Sequence, residues 1–245
     1  MSNPIFSRMN GPVVSNEELA QIVNGPGAGR LTIHDVIMKT AAVFALVVVG
    51  AGIGWVMPGL LFPAMIVALV LGLVNAFKRE VSPALVISYG LAEGVFLGAL
   101  SLWFETAYGP GIARQAVLGT LVAFGVMLTM YQNKIIKVDA KFTKIFMTAM
   151  ISYGVIALIS FVTSFFGVGG GWGFYGVGGL GLLLCAAGVL LATFSLVMDF
   201  EMINRGIAQG MPEKESWRMA FGLVLSLVWL YTELLRIMAI MRGDD

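Results

Sequence analysis

The sequence is short of charge. Only 12% of its 245 residues are Asp, Glu, Lys or Arg, roughly half the fraction usual in soluble domains. With 58% hydrophobic residues, that shortage excludes a surface facing water all round and makes the chain an integral membrane protein. Cysteine is nearly absent. Cys185 stands alone in an apolar run, which excludes a disulfide framework and a thiolate metal site and leaves a small packing residue. Histidine is as scarce: His34, the one histidine, precedes the first apolar run and reads as incidental. A histidine-built zinc site of the kind found in seven-helix hydrolases is thereby excluded. A formal net charge of +1 gives no reason to expect nucleic acid as a partner. No nucleophile–base pair or cofactor motif stands out, so the expectation is a protein without a cofactor that is no enzyme.

What the chain does have is long apolar runs. Seven lie at about 36–57, 59–77, 83–103, 115–132, 145–166, 178–199 and 217–240, each near the ~20 residues that span a bilayer. Backbone polar groups in hydrocarbon must be satisfied within the segment, which leaves helices. The fold class is an all-α membrane protein with seven transmembrane helices over 36–241, preceded by a tail over 1–35. In the tail, Ser15-Asn16-Glu17-Glu18 has capping-box spacing before Leu19-Ala20-Gln21-Ile22-Val23 and predicts one short helix. Asn24-Gly25-Pro26-Gly27 breaks it, and Thr32-Ile33-His34-Asp35 predicts a second N-cap leading into the first span. The polar first 30 or so residues show no cleavable signal peptide.

Orientation follows from the loops. Arg8, Arg30, Lys39, Lys78, Arg79, Lys134, Lys137, Lys141, Lys144, Arg205, Lys214 and Arg218 fall on one side, against Arg114 and Arg242 on the other, with Arg236 inside the last helix. The positive-inside rule then places the N-terminus in the cytoplasm and the C-terminus outside, facing the lipid bilayer between. Seven-helix receptors have the opposite orientation. A retinal Schiff base needs a lysine in the last helix, and none follows Lys214.

Acids within the membrane runs are few: Glu93, Glu233 and, near a boundary, Asp199. At about 1.5 Å per residue they lie about 15, 22 and 8 Å from the cytoplasmic side, the last with its helix continuing to Asn204, and step across the bilayer. Arg236 follows Glu233 by three residues, on the same face, and neutralises it in part. Ionisable groups at such depths normally face a bundle interior or a wet path. A set of carboxylates can bind a cation when ionised and release it on protonation. A static Glu233–Arg236 ion pair with Asp199 as an interfacial acid is the competing structural reading. Gly90, Gly94 and Gly98 form a small-xxx-small ridge in the third run, with a weaker version at Gly50 and Gly54. Packing accounts for these glycines and does not account for Glu93 beside them. The glycine-dense stretch from Gly167 to Gly179 lacks the Lys-Ser/Thr ending of a phosphate loop. It predicts a flexible turn with aromatic interface anchors.

Three features together resemble the Bax inhibitor family, with the bacterial, YccA-like branch as the nearest. They are Tyr89-Gly90-Leu91-Ala92-Glu93-Gly94-Val95-Phe96-Leu97-Gly98, Asp199 closing the sixth helix, and a seventh helix running from Trp217-Arg218 to Leu234-Leu235-Arg236-Ile237. The resemblance covers about residues 35–241. It implies helix pairs around a central last helix in the bacterial inner membrane, and a pH-sensitive calcium leak governed by paired aspartates on helices six and seven. Carried over, the first aspartate is Asp199. Anchoring on Leu234-Leu235-Arg236 puts the second at Ser226, a departure from the family pattern. Two acids in contact share a proton and titrate together; an acid beside a serine does not. Ser226 lies at a depth similar to that of Asp199, within reach of a hydrogen bond, and a different alignment would make Glu233 the equivalent. The expectation is a passive leak for Ca²⁺ or another cation, with Asp199, Glu93, Glu233, Ser226 and Arg236 as ion-pathway or pH-sensing groups and no resident metal. The alternative is a non-conducting interaction protein that regulates a membrane-anchored quality-control protease or a stress response, docking through its tail.

Overall fold

The computed structural model describes residues 29–171, 173–176 and 178–243. The helix expected at about 16–23 lies outside the described residues. The first membrane helix, α1 (Ile33–Val56), starts at the N-cap the sequence predicts. Thr32 is extended (φ −121°, ψ 157°) and its side chain accepts from the Asp35 N–H. Asp35 in turn accepts from the Thr32 N–H at 3.2 Å. This reciprocal box satisfies two of the backbone donors that a helix start leaves unpaired. A 3₁₀ turn at Pro58–Leu60 leads into α2 (Leu61–Phe77). Pro83 opens α3 (Pro83–Tyr108), where its missing N–H would have been unpaired in any case.

The turn from α3 to α4 (Ile112–Gln132) is fixed by Glu105, which accepts from the backbone N–H groups of Gly111 and Ala113 at 2.6 and 2.9 Å. Asp139 caps α5 (Ala140–Ser164) by accepting from the Phe142 N–H at 2.6 Å. Then come α6 (Gly178–Ala208), a 3₁₀ turn at Glu213–Glu215, and α7 (Ser216–Gly243). Among the described residues seven helices are long and apolar enough to cross a membrane. Their ends differ from the apolar runs where a polar stretch stays helical. The clearest case is α6, which continues past Asp199 to Ala208. Phe200, Ile203 and Gly206 keep a buried stripe going, and Glu201 pairs with Arg205 one turn on at 2.6 Å, so Asp199 lies inside the helix rather than at its end.

The centre is α7. It packs against α1, α3, α4 and α6 and meets α5 through the rings of Trp229 and Tyr153, 5.8 Å apart. The outlying α2 packs on α3. The ridge of α3 lies against α1 so closely that a Cβ on Gly94 or Gly98 would stand 2.2 or 2.0 Å from the carbonyl oxygen of Val47 or Ala51. Only glycine permits that approach. The start of α7 is tied down by polar contacts. Lys39 Nζ meets Glu213 at 3.0 Å and Ser216 Oγ at 2.6 Å, and it lies over the Trp217 ring. Arg218 donates to the carbonyl oxygens of Lys78 and Arg79 at 3.3 and 2.6 Å, and the Leu31 N–H donates to the Met211 carbonyl at 2.7 Å.

Candidate functional site

Asp199 is partly exposed on α6 and leans on α7. Ser226 Oγ donates to its Oδ2 at 2.6 Å. One turn earlier, Gly222 leaves room for the carboxyl: a Cβ there would stand 3.3 Å from Oδ1. The carboxyl therefore rests against α7 between a glycine and a serine. Ser195, one turn before Asp199, donates to the Ala192 carbonyl instead. Among the described residues Asp199 has no ion-pair partner.

Glu93 is placed by the register of α3 on α7. The rings of Tyr89 and Phe221 meet edge to face at 5.0 Å, and Ser101 Oγ hydrogen-bonds Tyr231 Oη at 2.6 Å, so the two helices run parallel. Glu93 precedes Ser101 by two turns on the same face and comes level with Val224. That is the turn of α7 against which Asp199 rests. Glu93 is buried at 8% exposure and, among the described residues, has no ion-pair partner. Tyr89, one turn back, turns its buried hydroxyl towards this carboxyl without reaching hydrogen-bond geometry. Glu93 and Asp199 thus share a layer rather than stepping across the bilayer. Counting from a helix end at Asn204 placed Asp199 too shallow, because α6 continues to Ala208.

Glu233 lies nine residues beyond Val224 on α7, about 13 Å along the axis. Its surroundings are of another kind. Its carboxylate is 3% exposed and accepts from Tyr153 Oη at 2.7 Å and from Trp229 Nε1 at 3.0 Å. Arg236 Nη1 contacts both oxygens, at 3.3 and 3.2 Å, and its guanidinium stacks 4.4 Å over the Tyr175 ring. On α6, Gly188 admits the carboxylate: a Cβ there would stand 2.7 Å from Glu233 Cδ. Cys185 is fully buried beside Tyr153 and Tyr175, a packing residue. Three helices therefore meet on one carboxylate, and the glycine-dense segment reaches its partner Arg236 through Tyr175.

That segment is docked, and it is not the loose turn its glycine content suggests. Its described parts are a tight turn at Val168–Gly171, with Gly169 and Gly170 left-handed (φ 61° and 65°), and a 3₁₀ turn at Gly173–Gly176. The Phe174 N–H donates to Ser160 Oγ at 2.9 Å, and Gly173 takes φ 62° with no room for a Cβ against the Ser160 carbonyl. Tyr175, buried beneath Arg236, supplies the physical reason. A cavity of about 240 Å³ opens beside it, lined among others by Tyr108, Tyr175, Arg236 and Ile240.

The structure thus joins Asp199 to Ser226 and Glu233 to Arg236, sets Glu93 level with the first pair, and keeps Glu233 apart from it. Tyr153 and Trp229 were not legible as its partners. Trp229 precedes Glu233 by four residues, one helical turn, and that spacing was an available signal. Tyr153 is eighty residues away and left none. Among the described residues no three of His, Cys, Asp or Glu gather as a resident metal would need.

No curated protein matches the chain. A family model described as Bax inhibitor 1-like matches residues 3–243, which spans all seven helices and both carboxylate groups. This multi-pass membrane protein belongs to the Bax inhibitor 1-like family.

Proposed function

We propose that the protein is a pH-sensitive passive leak pathway for cations, Ca²⁺ first among them, in which Asp199 and Glu93 bind the ion or the proton. The observation that carries this reading is one layer of the bundle holding two acids, neither with an ion-pair partner among the described residues. A buried charge without a counter-charge costs several kcal/mol, so such a group takes up a proton or a cation. Carboxylate and hydroxyl oxygens are the ligands that a hard cation such as Ca²⁺ accepts. Among the described residues the buried hydroxyl of Tyr89, one turn from Glu93, has no hydrogen-bond partner. Water is the usual partner of such groups, and a wet path past Glu93 would supply it.

In this reading Ser226 replaces a second acid. The link between α6 and α7 then responds to the titration of one group rather than of a coupled pair. Glu233 and Arg236 hold the far end of the bundle together and take no part in conduction. The protein sits in the bacterial cytoplasmic membrane with its N-terminus inside and its C-terminus outside, and it carries out no covalent chemistry.

The test is Ca²⁺ flux into liposomes containing the purified full chain, at pH 6 to 8, beside an Asp199→Asn variant. Flux above empty liposomes, with a pH response that flattens in the variant, is expected. Absence of flux at every pH would overturn the leak. Regulation of a membrane-anchored protease would then be the reading to pursue, by co-purification with and without residues 1–30.

A further inference from the structure

The bundle is not uniformly tight. α5 touches α6 at one end through the rings of Phe142 and Phe194, 5.8 Å apart. Further along, it reaches α7 through Tyr153, whose ring meets Trp229 and whose hydroxyl meets Glu233. Between these contacts the two helices part, and a crevice of about 510 Å³ opens between them. Its walls come from a helical stripe on α5 that includes Phe146, Ala149 and Tyr153, and from Leu190 and Phe194 on α6. They are almost wholly apolar. From Phe142 to Ile156, the limits of the crevice on α5, the helix rises about 21 Å, more than half of a hydrocarbon core of about 30 Å.

The ends of the crevice are chemically unlike. At the Tyr153 end it stops against the hydrogen-bonded Glu233 cluster. At the Phe142 end it opens beside the start of α5, where Lys141 and Lys144 are exposed and adjoin the crevice-lining Phe142 and Ile145 in sequence. Lys134 and Lys137 precede them in the same connection. Among the described residues none of the four lysines has an acidic partner. An apolar slot longer than one leaflet's share of the hydrocarbon core, with unneutralised cations at its mouth, suits an acyl chain and the charge of an anionic phospholipid.

We propose that the crevice between α5 and α6 is a binding site for one anionic phospholipid, with an acyl chain lying along Phe146, Ala149 and Leu190 and the headgroup phosphate held by Lys141 and Lys144. The chain fills the gap that the protein leaves between its own helices. Because Tyr153 forms both the floor of the slot and a donor to Glu233, the seated lipid props α5 against the cluster that closes the far end of the bundle. This site is independent of whether the protein conducts ions.

The test is native mass spectrometry of the full chain in detergent, titrated with phosphatidylglycerol and with phosphatidylcholine of the same acyl chains. One tight phosphatidylglycerol adduct is expected. Ala149→Phe, which fills the slot, should remove it. A Lys141→Gln/Lys144→Gln variant, which alters only exposed side chains, should reduce the preference for phosphatidylglycerol by about fivefold per lysine. If Ala149→Phe does not fold, the lysine variant still decides. An unchanged preference in the lysine variant, or an adduct that survives Ala149→Phe, would overturn the proposal. So would a dimer in the unaltered protein that Ala149→Phe breaks into monomers, since a second copy would then occupy the crevice.

Discussion

Asp199 and Glu233 are both acids in the bundle that rest against helix neighbours through glycine gaps, and they are held in opposite ways. Asp199 is partly exposed and receives one hydrogen bond, from the neutral Ser226. Glu233 is sealed in and receives Tyr153, Trp229 and Arg236 together. A carboxylate with a cation and two further donors has little to gain from a proton or a metal ion. One with a single hydroxyl has its other acceptor positions free. Burial alone therefore does not mark an acid for function; what matters is whether the fold has already supplied its counter-charge.

Removing the counter-charge at the sealed site should have the largest effect on stability. Glu233→Gln leaves Arg236 largely enclosed without its partner and is expected to cost about 3 kcal/mol. Thermal melting in detergent would show the drop. A melting temperature that did not move would erase the distinction between the two acids. Tyr153→Phe sharpens the same point by removing one donor and leaving the ion pair. It should cost about 1 kcal/mol and speed amide hydrogen exchange in the second half of α5.

On the Asp199 side the effects move from stability to response. Ser226→Asp places a second acid against Asp199, so the flux–pH curve should broaden as the two share a proton. A curve left unchanged would mean that Ser226 does not face the group that titrates. Glu93→Gln should lower Ca²⁺ flux while leaving the melting temperature nearly unmoved, because no ion pair is broken. A fall in stability like that of Glu233→Gln would show that Glu93 has a partner and belongs with the sealed kind.

Much of this was legible in the chain. Seven apolar runs gave seven helices, and Thr32 with Asp35 announced the first cap. Gly94 and Gly98 announced a close helix approach without naming α1 as the partner, and the i,i+3 spacing announced the Glu233–Arg236 pair. The proximity of Asp199 to Ser226 could be anticipated from their similar depths once the resemblance was in hand. The rest depends on contacts between distant segments or on a helix running past its apolar stretch. Residues 205–208 lie beyond the helix end at Asn204 on which the sequence-derived depth of Asp199 rests, yet the buried Gly206 keeps α6 going to Ala208. That extension brings Asp199 level with Glu93. The docking of Tyr153 and Tyr175 onto Glu233 and Arg236 joins segments whose spacing carries no periodic signal. The crevice between α5 and α6 is a matter of how far two helices part, which composition does not encode.

The most direct test sets the two acids side by side: Ca²⁺ flux at pH 6 to 8 and melting temperature, measured for Asp199→Asn and Glu233→Gln in the same preparation. Flux and its pH dependence lost in Asp199→Asn with the melting temperature kept, and stability lost in Glu233→Gln with the pH dependence kept, is the predicted outcome. Unchanged flux in Asp199→Asn, or a pH response that disappears only in Glu233→Gln, would contradict it.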